Sequence, residues 1–193
     1  MDETSVRLAA SHPPRVGCEL GRPVFFVGFM GAGKTSTARK LARTCGIASV
    51  DIDTYLERRE GMHVKELFAE VGEDGFRAIE TDVLRVLAAK EPLLVSCGGG
   101  VVLCPENRAV LKEEGFVVYL QVTADEAASR IRDVSTRPLF LDLDTARATI
   151  EERLPLYEEV ADAIVDTAGK GVAAIAREVR GVLEREGILW QRK

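Results

Sequence analysis

The four apolar residues Val24-Phe25-Phe26-Val27 open directly into Gly28-x-x-x-x-Gly33-Lys34-Thr35, after which Thr37-Ala38-Arg39-Lys40-Leu41-Ala42 continues at helical spacing. A strand that feeds a glycine loop, with a helix starting at the lysine, lets backbone N–H groups wrap a polyphosphate. Glycines at 28, 31 and 33 allow positive φ and leave no Cβ between amides and phosphate oxygens. Lys34 is a point charge for the β- and γ-phosphates, and the Thr35 hydroxyl suits Mg²⁺ where the helix dipole adds its field. The spaced pattern arises by chance on the order of once in a hundred chains of this length. Gly31, Ala32, Gly33, Lys34, Thr35 and Ser36 are therefore the candidate nucleotide-binding residues.

A chain of 193 residues suits one domain with a substantial core. Its net charge of −5 argues against general attraction to nucleic acid, so an anionic ligand must be held by local cations and amides. Cys18, Cys45, Cys97 and Cys104 have neither zinc-site nor disulfide-framework spacing and read as free thiols of a reducing cytoplasm. No apolar run approaches the ~18 residues of a membrane span, and no secretory signal stands at the N-terminus. The expectation is a cytoplasmic protein, a monomer, with no nucleic-acid or membrane partner.

Residues 1–22 read as a loose extension, 23–187 as one domain, and 188–193 as a tail. The pattern predicts a helix from Lys34 to about Cys45, stopped by Gly46, and a short strand Ala48–Asp51. Polar helical segments follow over 53–60, 64–70 and 75–87, expected as an insert (52–87) over a cleft. Pro92–Cys97 reads as a buried strand that runs into Gly98-Gly99-Gly100. Helix Glu106–Glu114, strand Phe116–Leu120, helix Ala124–Arg132, an irregular mobile lid within 130–143, helix Asp144–Val160, strand Ala163–Asp166 and helix Val172–Arg185 complete the alternation. The fold class is α/β, a five-stranded mostly parallel sheet with helices on both faces. Ligands of such sheets lie at the strands' carboxyl ends, where Gly28, Asp51 and Gly98 fall.

Asp51 and Asp53, two apart at a strand end, share one side if strand geometry persists. One suits the outer shell of Mg²⁺ and the other an acceptor hydroxyl, either as base or as orienting group. On the helix after Gly72, residues Glu73, Arg77 and Glu80 share a face. Such a face is usually solvated surface, but lining a cleft it would let Glu80 lock the Arg77 fork for a substrate carboxylate. Three consecutive glycines cost roughly 0.5–1 kcal/mol each against alanine, which points to a close approach of backbone and ligand. Ser96 could complete the Mg²⁺ water shell, and Arg130, Arg137 and Arg153 are the late cations, those on a lid acting after closure.

Gly28-x-x-x-x-Gly33-Lys34-Thr35, Asp51-x-Asp53, Gly72-Glu73-x-x-Phe76-Arg77-x-x-Glu80, Gly98-Gly99-Gly100, Arg137-Pro138-Leu139 and Arg153-x-x-x-Tyr157 together resemble the shikimate kinase family. The resemblance spans about Val24 to Val179 and implies ATP-dependent phosphorylation of the 3-hydroxyl of shikimate, in aromatic amino acid biosynthesis, on a P-loop kinase fold. It implies that Lys34 holds the phosphates, Thr35 the Mg²⁺ and Asp51 its outer shell. Asp53 would meet the shikimate hydroxyls, with Arg77, Gly98, Gly99, Gly100 and Arg153 around the acid and ring. Arg137 would be the lid arginine over both ligands and Arg130 the one on adenine. Phe140 departs from the usual Leu after Arg-Pro-Leu, and the segment 167–171 matches the adenine loop only loosely. A gluconate kinase-like enzyme and a catalytically silent nucleotide-binding regulator are the alternatives.

Overall fold

The computed structural model describes residues 17–130 and 143–192. Its strands are β1 (Cys18–Leu20), β2 (Val24–Val27), β3 (Ser49–Asp51), β4 (Leu94–Ser96), β5 (Phe116–Gln121), β6 (Ala163–Asp166) and β7 (Leu189–Gln191). Its helices are α1 (Lys34–Cys45), α2 (Ile52–Glu60), α3 (Val64–Ala88), α4 (Pro105–Glu114), α5 (Ala124–Arg130), α6 (Leu143–Val160) and α7 (Val172–Arg185), with a 3₁₀ turn at Val101–Leu103.

Five strands form the expected sheet in the order β3-β4-β2-β5-β6, and every pairing in it is parallel. All four residues of β2 are fully buried, and they alternate between two cores: Val24 and Phe26 join one, Phe25 and Val27 the other. A strand buried on both faces carries no polar alternation, which is why it reads as a continuous apolar run. One core takes Leu41 and Cys45 of α1 with Val179 and Leu183 of α7; the other takes Leu56, Leu84, Leu111 and Tyr157 from α2, α3, α4 and α6. Helices therefore cover both faces. Among the described residues no helix is long and apolar enough to cross a membrane.

Three expectations are corrected. Residues up to 22 and beyond 187 are not all loose: Cys18–Leu20 pair antiparallel with Leu189–Gln191 as a second, two-stranded sheet. Cys18, Leu20 and Leu189 bury their side chains in the core that holds α1 and α7, and that burial fixes both ends. The segment 52–87 is less polar in its packing than in its composition, because Ile52, Leu56, Val83, Leu84 and Leu87 are fully buried or nearly so. The segments 64–70 and 75–87 are one kinked helix; Gly72, at φ 71° and ψ −178°, breaks its geometry between them. Residues 1–16 and the lid core 131–142, with Arg132, Arg137, Pro138, Leu139 and Phe140, lie outside the described residues.

Candidate active site

The sheet order sets the carboxyl ends of β3, β4 and β2 side by side. In register, Asp51 lies opposite Ser96, and Ser96 opposite Phe26. The segments after these strands, helix α2 from Ile52 and the loops from Cys97 and Gly28, therefore leave from one level of the sheet. The four sequence-distant motifs around residues 28, 51, 77 and 98 meet there.

The phosphate loop has the expected backbone. Gly28, Gly31 and Gly33 all have positive φ, and Gly33 at φ 89° is the N-cap of α1. A Cβ on Gly28 would stand 2.5 Å from the carbonyl oxygen of Leu120, so neither the angle nor the space admits a side chain. No side chain caps α1 and its first turn holds no acid, which leaves the amide end of the helix to an anionic ligand. Ala32 is fully buried and donates its N–H to the Phe29 carbonyl at 3.2 Å, while Ser36 is exposed on the first turn. Lys34 Nζ lies over the loop and donates to the carbonyls of Gly28 (2.8 Å) and Phe29 (3.0 Å).

Thr35 turns its hydroxyl toward both neighbouring strand ends. It donates to Asp51 Oδ2 at 2.7 Å and lies 2.9 Å from Ser96 Oγ. Asp51 is held in turn as the N-cap of α2, where Oδ1 accepts from the Thr54 amide (3.2 Å) and hydroxyl (3.3 Å). This gathering of oxygens fits a hard cation such as Mg²⁺.

Asp53 reaches the site by a route other than the one expected. The strand ends at Asp51 and α2 begins at Ile52, so Asp53 lies in the first helical turn instead of sharing a strand face with Asp51. Helical advance carries it to the glycine run: a Cβ on Gly98 would lie 3.2 Å from Asp53 Oδ1 and 3.5 Å from Glu80 Oε1. One carboxylate from each of α2 and α3 thus flanks Gly98. Gly98, Gly99 and Gly100 are not in the left-handed region. Gly100 is the crowded one, since a Cβ on it would come within 2.6 Å of Arg77 Nη2.

Arg77 and Glu80 are not solvated surface. The Arg77 side chain is 14% exposed and that of Glu80 only 1%, and Nη1 donates to Oε2 at 2.6 Å. Glu73 lies 3.7 Å from Nη2 and faces solvent. Phe76 stacks on Phe68 at 4.2 Å, and the guanidinium lies 5.3 Å and 5.8 Å from their ring centroids. Burial pushes the Glu80 carboxyl above its ordinary value and Asp53 adds to the rise, while Arg77 and the Asn107 amide oppose it. The same burial holds the Cys97 thiol protonated beneath the site.

Two residues of α6 close the other side. Arg153 Nη1 donates to the Gly99 carbonyl at 3.4 Å, and Tyr157 Oη donates to the same oxygen at 2.5 Å. Tyr157 is fully buried and stacks on Tyr119 at 5.0 Å; burial raises its pKa, which keeps the hydroxyl a donor. Across the phosphate loop, Arg130 donates to the Thr167 carbonyl (2.6 Å) and hydroxyl (2.9 Å) and reaches the Gly31 carbonyl at 3.5 Å. It links the phosphate loop to the segment 167–171.

Sequence reasoning assigned no role to Phe68, Thr81, Asn107 or Tyr157. Asn107 carried a legible signal, because it shares the 107, 110, 111 spacing of an apolar helix face with Val110 and Leu111. An amide in that register is either exposed by a helix end or buried and bonded, and here it is fully buried.

Comparison with known proteins finds relatives over most of the chain. A family model described as shikimate kinase matches residues 30–184. The shikimate kinase of Geobacter metallireducens is 40% identical over 166 residues, covering 84% of this chain and 92% of that protein. That of Ralstonia nicotianae is 42% identical over 170 residues, covering 86% and 89%. Among solved structures, the shikimate kinase from Acinetobacter baumannii in complex with shikimate superposes with a TM-score of 0.79 at 33% identity, over 86% of this chain and 94% of that one. A gluconokinase from Sinorhizobium meliloti, at 22% identity and TM-score 0.56 over 86% and 94%, shares the fold.

Proposed function

The chain belongs to the shikimate kinase family, and on that premise we propose how its residues divide the transfer of the ATP γ-phosphoryl group to the 3-hydroxyl of shikimate, giving shikimate 3-phosphate and ADP. One observation carries the division: the Gly98 gap is bounded by Asp53 and by the Glu80 that holds Arg77, one strand away from the phosphate loop.

Lys34 and the loop from Gly31 to Ser36 hold and align the phosphates, with Lys34 neutralising charge as the γ-group moves. Arg130 braces the nucleotide end against residues 167–171. Thr35 holds Mg²⁺, with Asp51 and Ser96 in its outer shell; their hard oxygens support this. When bound, the ion spreads the charge that gathers on the transferring phosphoryl oxygens. Asp53 faces the acceptor hydroxyl and orients it or takes its proton. Arg77 and Arg153 grip the shikimate carboxylate and ring substituents across the backbone of Gly98, Gly99 and Gly100. Arg137 is proposed, from motif order, as the lid cation. Most of the rate comes from positioning and electrostatics, since a loose transition state asks little of a base. Four unpaired thiols support a reducing cytoplasm as the enzyme's compartment, and we propose a monomer.

The test is ADP release coupled to shikimate, with gluconate as control acceptor, followed by Arg77→Ala. Shikimate should be the productive acceptor. The variant should raise its KM by about thirtyfold or more, as expected on losing one partner of a buried charge pair, and leave that of ATP in place. An unchanged shikimate KM would remove α3 from the acceptor site.

A further inference from the structure

Arg77 lies five residues after the kink at Gly72, and among the described residues its Nε is buried without a hydrogen-bond partner. Glu73 at 3.7 Å and the Phe68 and Phe76 rings also touch the guanidinium, but its short bond is to Glu80, itself a buried carboxylate that needs donors. The second donor comes from another helix. Asn107, in the first turn of α4 and fully buried, donates from Nδ2 to Glu80 Oε2 at 2.8 Å and to the Val101 carbonyl at 3.1 Å. Its Oδ1 faces the Thr81 hydroxyl at 2.5 Å, and that hydroxyl also lies 2.8 Å from the carbonyl of Arg77. The amide has one sensible orientation, because turning it over would set Oδ1 against two acceptors.

We propose that Asn107 is the positioning residue of the acceptor site: one buried amide holds the Glu80 carboxylate that fixes the Arg77 guanidinium, and ties it to Thr81 of the same helix and to the turn after the glycine run. Three elements meet at this side chain: α3 through Glu80 and Thr81, the 3₁₀ turn through Val101, and α4 that carries it. Both Nδ2 protons are donated and Oδ1 accepts the single Thr81 hydroxyl proton, so loss of the amide leaves a buried partner unmet. Among the described residues the hydrogen bonds of Asn107 run to Glu80, Thr81 and Val101 and to none of those assigned to ATP. Its influence reaches the reaction chiefly through Glu80 and the placement of Arg77, and this rests on Arg77 gripping the shikimate acid.

The experiment compares Asn107→Asp with the parent enzyme, alone and in an Arg77→Ala background. The Asp side chain keeps the shape and the acceptor toward Thr81 but replaces the donor to Glu80 by a second carboxylate oxygen. The shikimate KM should rise about tenfold or more, the scale on which small misplacements of a binding group act, while the ATP KM and kcat change much less. In the Arg77→Ala background the same substitution should add nothing further to the shikimate KM. If Asn107→Asp fails to fold, Thr81→Val removes the hydroxyl end of the network and should shift the shikimate KM in the same direction. An unchanged shikimate KM, equal losses toward both substrates, or an undiminished effect without Arg77 would each overturn the assignment. Failure of the underlying reading is distinct, because Arg77→Ala alone would then leave the shikimate KM where it was, and the proposal would fall with it.

Discussion

The Nη2 atom of Arg77 lies 2.6 Å from the point where a Cβ on Gly100 would stand, so the last glycine of the run is small because a guanidinium occupies the space of its side chain. Gly100 itself has φ −96° and ψ 2°, which alanine adopts without strain. The backbone alone would let Gly100→Ala raise the unfolding free energy by about 0.5 kcal/mol, but moving the fork off the buried Glu80 carboxylate costs more, and a net loss of about 1–2 kcal/mol is expected. The substitution should also displace the Arg77 fork and raise the shikimate KM about tenfold. Urea unfolding and steady-state kinetics on one preparation check both halves; a KM equal to that of the parent would mean that the fork moves aside at no cost.

Glu80 titrates in a way that stability can report. Burial raises its folded value above the ordinary one, so between the two the folded protein binds more protons than the unfolded chain. Its contribution is present below the ordinary carboxylate value and is lost as pH rises through the folded value. Glu80→Gln has no such loss. The stability of the variant relative to the parent should climb with pH across that window and then level off. Chemical denaturation at a series of pH values checks this, and a constant difference would contradict it.

Tyr157→Phe removes the hydroxyl that donates to the Gly99 carbonyl and retains the ring stacked on Tyr119. Among the described residues the part-buried Gly99 carbonyl then keeps the 3.4 Å contact from Arg153. A loss of about 1–2 kcal/mol is expected, or roughly 2–8 °C in Tm for a chain of this size, with a rise in shikimate KM as the glycine run loosens. Calorimetry and kinetics together check it.

Lys34→Ala should act on the other substrate. Its Nζ now rests on the Gly28 and Phe29 carbonyls within the phosphate loop. Turnover should fall by about a hundredfold to a thousandfold, as when one preorganised transition-state donor is lost, with little change in shikimate affinity measured by direct titration. A matching loss of shikimate affinity would show that the two halves of the site are not separable.

What the sequence disclosed and what it hid divide by the range of the interactions. The phosphate loop is legible because strand, glycines, lysine and helix are consecutive, and each residue type answers to a local demand. The ordered motifs around Asp53, Arg77 and Gly98 are legible as a set. The path that brings Asp53 in is not, because a strand of three residues gives way to a helix one residue before it. Glu80 and Arg77 at helical spacing look the same whether wet or buried, and only the packing of α4 against α3 decides between them. Thr81, Asn107 and Tyr157 meet partners 26 to 58 residues away through single hydrogen bonds, a range no periodicity encodes. The pairing of β1 with β7 is more distant still, between strands too short to carry a pattern.

That ladder also settles where the enzyme can be handled. Gly21 donates to the Ile188 carbonyl and Arg192 to that of Gly17, so the first and last described stretches lie together just before β2 begins. The chemistry is assigned to the far end of that same strand. A dye, an affinity handle or a solid support joined beyond Arg192 therefore hangs from the pole of the molecule away from its ligands, and an immobilised preparation should keep the kinetics of the free one.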